Sequence, residues 1–212
     1  MFRSRTQLAA TIFLLIGLSG CAASRPMKYY VLDPGPVPSP QGAPTYPVTL
    51  LVGRVSASHL FRDDRLVYGS GPVQLGVYSY DRWAEPPADM LQDLLVSNLR
   101  STGQYRAVSP LGSNVRGDYV VRGHLWDISE VDKPELMARF SLEVELFDPN
   151  TRTTVWSHRY EHDEPAQGKT VNDVVQAMDK NVRAGLQQIT AGISEYFASH
   201  PVQQPQAQPS DN

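Results

Sequence analysis

The sequence holds a single cysteine, Cys21, so no intramolecular disulfide can staple the fold and the apolar core must supply its stability. It also lacks a basic excess. Its 19 lysines and arginines face 22 acidic residues, a net charge of −3, which leaves no footprint for nucleic acid or for anionic headgroups. No internal repeat, nucleophile elbow, phosphate-binding loop or zinc-type histidine motif is present. These absences exclude solenoid arrays and motif-defined enzymes, and they turn attention to what the chain does carry.

The apolar run Leu8 to Leu18 follows Arg3 and Arg5 and is too short to span a bilayer. Charge followed by a short apolar stretch is the pattern of a secretory signal. It ends in Leu18-Ser19-Gly20-Cys21, the lipobox arrangement of small residues before a cysteine that becomes the first residue of the mature chain. Cys21 is therefore the expected lipidation site, since acyl chains contribute about 0.8 kcal/mol per buried methylene and several together hold a protein to a membrane. Ala22 follows, not the aspartate that retains lipoproteins in the inner membrane, so the outer membrane is the expected destination. Removing residues 1–20 leaves 192 residues, enough for one sizeable domain. The two signal arginines leave with it, so 17 basic residues face 22 acidic ones and the mature charge is −5.

After the cysteine, residues 21–27 are expected to form a tether reaching about 20 Å from Ala22 to Met27 when extended. A domain over 28–200 follows, and a Pro- and Gln-rich disordered tail over 201–212 closes the chain. Lys28 to Leu32 reads as a short strand. Residues 34–47 hold six prolines and read as a loop. Val48 to Val55 is nearly all apolar, as expected of a strand covered on both faces. Arg65–Tyr68 and Val73–Tyr80 flank Gly69-Ser70-Gly71-Pro72 and suggest a hairpin. Tyr105–Ser109 and Asp118–Ile128 are further strands.

The cleanest period-two pattern sets Phe140, Leu142, Val144 and Leu146 against Ser141, Glu143 and Glu145. Asp148-Pro149-Asn150 then turns the chain into Thr153–Tyr160, a second hairpin. A long helix is predicted from Thr170, with Asp173 completing a capping box and an apolar stripe from Val171 to Phe197. Its default role is packing on the sheet.

The first helix is set by a joint. Leu75 to Trp83 suits a strand, and Pro86-Pro87 forbids its continuation. Glu85 should be extended, Pro86 the cap and Pro87 the first helical residue. Met90, Leu91, Leu94, Leu95 and Leu99 repeat at helical spacing until Gly103, and Asn98 on that stripe is expected to bond backbone. The fold class that follows is α/β: one domain, a mixed sheet of six to eight strands, and two long helices packed on one face.

Chemistry is sparse. His158 and His162 sit in a predicted strand, where four residues span about 13 Å, too far for one metal ion to bridge. His59 near Asp63 and Asp64 lacks a nucleophile to complete a site. No catalytic residue, metal ligand or cofactor is expected. Tyr78, Tyr80, Arg82 and Trp83 are the candidate partner contacts, because arginine and tryptophan are enriched at binding hot spots. The structural alternative has Trp83 packed under the first helix and Arg82 paired with Asp81 or Glu85.

The run YSYDRWAEPPADMLQDLLVSNL, with RLVYGSGPVQLGVY upstream and KYYVLDPG near the start, resembles the ABC-type transport auxiliary lipoprotein family, which includes PqiC-like proteins. The resemblance implies a non-enzymatic lipoprotein of the outer membrane, facing the periplasm and docking an MCE-domain protein of an ABC-type lipid transporter. It would be held by acylated Cys21, with assembly into a ring of copies as one form. The alternatives are a lipid-binding carrier, which needs a cavity lined by residues such as Leu94, Met178 and Val182, and a cell-wall or general envelope module.

Overall fold

The strongest alternation in the sequence lies at the centre of the protein's computed structural model, which describes residues 25–33, 35, 43–69, 73–132 and 134–201. The signal, Cys21, most of the proline-rich segment, Ser70-Gly71-Pro72 and the tail beyond 201 lie outside the described residues. Eight strands form one sheet: β1 Lys28–Tyr30, β2 Tyr46–Ala57, β3 Arg65–Gly69, β4 Leu75–Trp83, β5 Tyr105–Pro110, β6 Tyr119–Val131, β7 Met137–Asp148 and β8 Thr153–Pro165. Two helices, α1 Pro87–Ser101 and α2 Val171–Ser199, complete it. No helix among the described residues is long and apolar enough to cross a membrane.

β7 turns Phe140, Leu142, Val144 and Leu146 inward, all wholly buried, and pairs antiparallel with β6 on one side and β8 on the other. The β7–β8 turn is closed by Asp148, whose Oδ1 accepts the Asn150 N–H at 2.7 Å, and by Arg152 at φ 59°. The far edge of β6 is shared. β2 pairs parallel with its first half, Tyr119 to Leu125, and β3 pairs parallel with its end, Ser129 to Val131. A short 3-10 turn, His59–Phe61, lets the chain step from one to the other and buries Phe61. Outside β2 lies β5, parallel; outside β3 lies β4, antiparallel, and β1 pairs parallel with the end of β4.

β2 is buried on both faces from Val48 to Gly53, as its apolar run predicts. Its start at Tyr46 puts Pro47 inside the strand, two residues into the span expected to be loop. The missing N–H falls at a register irregularity between Tyr46 and Thr49 that needs no ladder bond there.

α1 begins as the paired prolines dictate: Pro86 caps it in an extended conformation and Pro87 opens it. Met90, Leu91, Leu94, Leu95 and Leu99 are buried, chiefly on β2 and β5. Asn98 donates to the Leu94 carbonyl at 3.1 Å, and Gly103 at φ 64° ends the helix. α2 opens with a complete capping box, in which Thr170 Oγ1 accepts the Asp173 N–H and Asp173 Oδ2 accepts the Thr170 N–H. It packs on β7 and β8 and touches α1, so both helices cover the same face over one continuous core.

Candidate contact surface

The strand that leads into the paired prolines organises this corner of the sheet. Trp83, at its end, is 2 % exposed and borders Leu66, Val67, Ile128, Val174, Val175 and Met178, so it fills core beside the start of α2. The expectation that it packs under α1 is corrected, because β4 lies on the α2 side of the molecule. Arg82 pairs with neither Asp81 nor Glu85. Its Nη1 donates to Asp64 Oδ1 at 2.6 Å, and the Asp64 carbonyl accepts the Trp83 N–H at 2.6 Å. Asp64 thus fastens β4 to the loop that follows the 3-10 turn.

Tyr78 lies on the helix-side face of the sheet with Tyr68 and Glu130, and a register irregularity in β4 separates it from Tyr80. Tyr78 donates to both carboxylate oxygens of Glu130, at 3.0 and 2.8 Å. Burial first, and that carboxylate second, push its hydroxyl well above the usual range, while burial raises Glu130. Tyr68 meets Tyr78 edge-on at 5.0 Å between ring centres. Tyr80 is 44 % exposed. β1 adds Tyr29, 61 % exposed, on the other face of the sheet, since it sits opposite Arg82, and Met27 and Val31, two residues either side of it, are exposed as well. Tyr30 points the other way, donating to Asp81 Oδ1 at 2.9 Å, and burial with that bond pushes its hydroxyl to about 12. An open cleft of about 530 Å³ runs along this corner, lined by Arg25, Tyr68, Tyr78, Tyr80, Asp81 and Glu130 among others. At the hairpin tip Val73 is 95 % exposed.

The candidate chemistry does not assemble. His158 and His162 lie on β8, an extended strand. Asp63 is taken by Arg65, its Oδ2 accepting from Nε at 2.8 Å, and Asp64 by Arg82, so neither carboxylate orients His59. Sequence reasoning missed one suggestive pair, Ser56 Oγ 2.7 Å from His124 Nδ1 on the solvent face of the sheet. Glu143, across the strand from His124, accepts instead from Trp126 Nε1 at 2.8 Å, and the Arg159 guanidinium lies 4.8 Å over that indole. A serine–histidine pair without an orienting acid is not an activated nucleophile. Among the described residues no group of three or more metal-ligating side chains converges.

Also missed was Asn181, wholly buried on α2. Its Nδ2 donates to the carbonyls of Ala138 and His162, each at 2.8 Å, and its Oδ1 accepts from Tyr160 at 2.8 Å. Its place between Met178 and Val182 on the apolar stripe was the available signal.

Leu94, Met178 and Val182, the residues a lipid-carrier cavity would require, are packed into the core. The void bordering Met178 is about 10 Å³, room for about one water molecule.

A family model described as ABC-type transport auxiliary lipoprotein component matches residues 30–190. The crystal structure of protein XCC0632 from Xanthomonas campestris is similar, at a TM-score of 0.71 and 21 % identity over 81 % of this chain and 98 % of that one. That of an uncharacterised protein matches at 0.62 and 15 %, over 80 % and 99 %. At such identities the likeness speaks for the fold alone. Among curated proteins no match is found.

Proposed function

The chain belongs to the ABC-type transport auxiliary lipoprotein component family, and from that membership we propose that it serves, without catalysing a reaction, as the anchored docking component of a transporter. The observation that carries this is the extent of the match, residues 30–190, which takes in every strand from β2 to β8, all of α1 and two thirds of α2. Family membership makes it a membrane-anchored protein of the cell envelope and an auxiliary of an ABC-type system. The finer assignments are proposals: Cys21 carries the acyl chains, Ala22 directs the protein to the outer membrane, and the domain faces the periplasm. There it engages an MCE-domain protein that moves lipid, as a single copy or a ring.

The geometry supports a docking role over a carrier role. Among the described residues the core between sheet and helices is closed where a carrier would need a cavity, at Leu94, Met178 and Val182, and one continuous core on the expected tether suits positioning. Family membership also weighs against an enzyme.

Crosslinking of the acylated protein in its native envelope, followed by identification of what is captured, tests this reading. Recovery of an MCE-domain protein, or of a permease and ATPase, is the expected result; recovery of cell-wall components alone would overturn it. Cys21→Ala should leave an unprocessed, unacylated precursor, and correct processing of that variant would sink the lipidation site.

A further inference from the structure

Exposed apolar side chains are not spread evenly over this protein. Of the ten large hydrophobic residues exposed among the described ones, seven lie at the corner made by β1, β4 and the tip of the β3–β4 hairpin. An apolar patch of this kind on a domain surface is covered by something in the working state. What covers it is indicated by the path of the chain. β1 runs parallel to β4, with Lys28 opposite Asp81, so toward its N-terminus the chain heads for the start of β4 and the hairpin tip. Arg25 already lies in the cleft beside Tyr78 and Tyr80. From Arg25 to Cys21 is four residues, at most about 14 Å of extended chain. That is little more than the thickness of one helix, about 10–12 Å, so no separate domain fits between this corner and the anchor's lipid.

We propose that this corner, the edge of the sheet carrying Tyr29, Tyr68 and Tyr80 together with Val73 and Leu75, is the surface by which the anchored domain rests, edge-on, against phospholipid. The proposal rests on the reading that Cys21 is acylated. The side-chain chemistry fits. Tyr29, Tyr68 and Tyr80 each offer an apolar ring with a polar tip, the combination that settles at headgroup depth. Val73 and Leu75 present aliphatic surface at the tip. Two of the three acids lining the cleft are turned to hydroxyls of the fold, Asp81 to Tyr30 and Glu130 to Tyr78, which lessens the charge facing an anionic membrane. Pro26 has a role here too. Tyr30 directs its carbonyl to β4, so Lys28 and Pro26 share that orientation, and Pro26 has no N–H to give. Regular pairing stops at Lys28, and β4 from Leu75 to Tyr80 keeps one edge unpaired by the described residues.

The test uses the full acylated protein in vesicles of phosphatidylethanolamine and phosphatidylglycerol. Cysteines are introduced singly by Val73→Cys, Tyr80→Cys and, at the opposite edge of the sheet, Thr153→Cys, and each carries an environment-sensitive fluorophore. Lipids with a quencher in the upper acyl chain should quench the labels at 73 and 80 several-fold more than the label at 153. Equal quenching at all three, in protein that still floats with the vesicles, would overturn the lipid contact and leave the anchor standing. Failure to float would remove the anchor and this inference with it. Photocrosslinks from position 80 in the native envelope should land on lipid; capture of a protein there would overturn the proposal.

Discussion

Two of the outer edges of this sheet, β8 and β1–β4, meet the same hazard, an unpaired strand that can template aggregation, and answer it differently. β8 is laced with charge. Arg139 grips Asp163 through both carboxylate oxygens, Arg159 bonds Glu161, and Lys180 reaches Glu164 from α2. None of the exposed large hydrophobic residues lies on β7 or β8. The β1–β4 edge has tyrosine, methionine, valine and leucine on its surface instead, and Asp81 and Glu130 there accept from the hydroxyls of Tyr30 and Tyr78. The contrast teaches that exposure alone is ambiguous: a strand edge dressed in ion pairs is built to stay in water, and one dressed in aromatic and aliphatic groups is built to be covered.

The widest gap between the two regions should appear in paired truncations. Phe140→Ala, in the wholly buried centre of β7, should cost about 3–5 kcal/mol in urea unfolding. Leu75→Ala at the corner should stay within about 0.5 kcal/mol, and a comparable loss there would erase the distinction. Asn181→Leu should cost on the order of 3 kcal/mol, read as a lowered melting temperature, because Tyr160 and two carbonyls lose their partner in the interior. Gly185→Ala tests how closely α2 approaches β8. A Cβ there would lie 2.7 Å from Tyr160 Cδ1 and 3.1 Å from Phe140 Cε1, both held in packed rings. Overlap should cost about 1–3 kcal/mol and outweigh the gain of about 1 kcal/mol in helix propensity. A stabilised variant would mean that this seam is looser than the corner.

The smallest effect sharpens the seam where the two regions join. Asp179 on α2 accepts the Asp33 N–H at 3.0 Å just after β1, and burial pushes its carboxyl up from 3.8 to about 6, against the pull of Arg183. A carboxyl with a folded pKa above its unfolded one is costly to ionise in the fold. Its penalty is absent below about pH 4, grows between about pH 4 and 6, and is constant above that. Asp179→Asn should therefore melt higher than the parent at pH 8 and alike at pH 4, and a difference of equal size at both would show that ionisation is not the cause.

Local rules carried much of this fold. The alternation from Phe140 to Leu146, the Pro86-Pro87 joint and the Thr170–Asp173 box each act within a few residues, so the sequence displays them directly. Strand order does not work that way. That β2 and β3 share one edge of β6 depends on pairings some 60 to 70 residues apart, which no local pattern encodes. The same distance hid the partner of Arg82, since Asp64 is 18 residues away while Asp81 and Glu85 stand beside it in sequence. Of the four candidate contacts, residue type could not separate Trp83, which the fold buries, from Tyr80, which it leaves in the open.

The direction of β1 also decides how the domain bears a load. With acylated Cys21 as the proposed anchor, a tug on it would be delivered along the axis of a strand that lies parallel to its neighbour, straining its hydrogen bonds side by side instead of unzipping them one at a time. Just beyond it, Leu32 is sunk in the core and Asp33 is tied to α2. Tension from a moving membrane thus passes through a shear clamp into the longest helix, where it meets the whole interior at once and not a single fraying end.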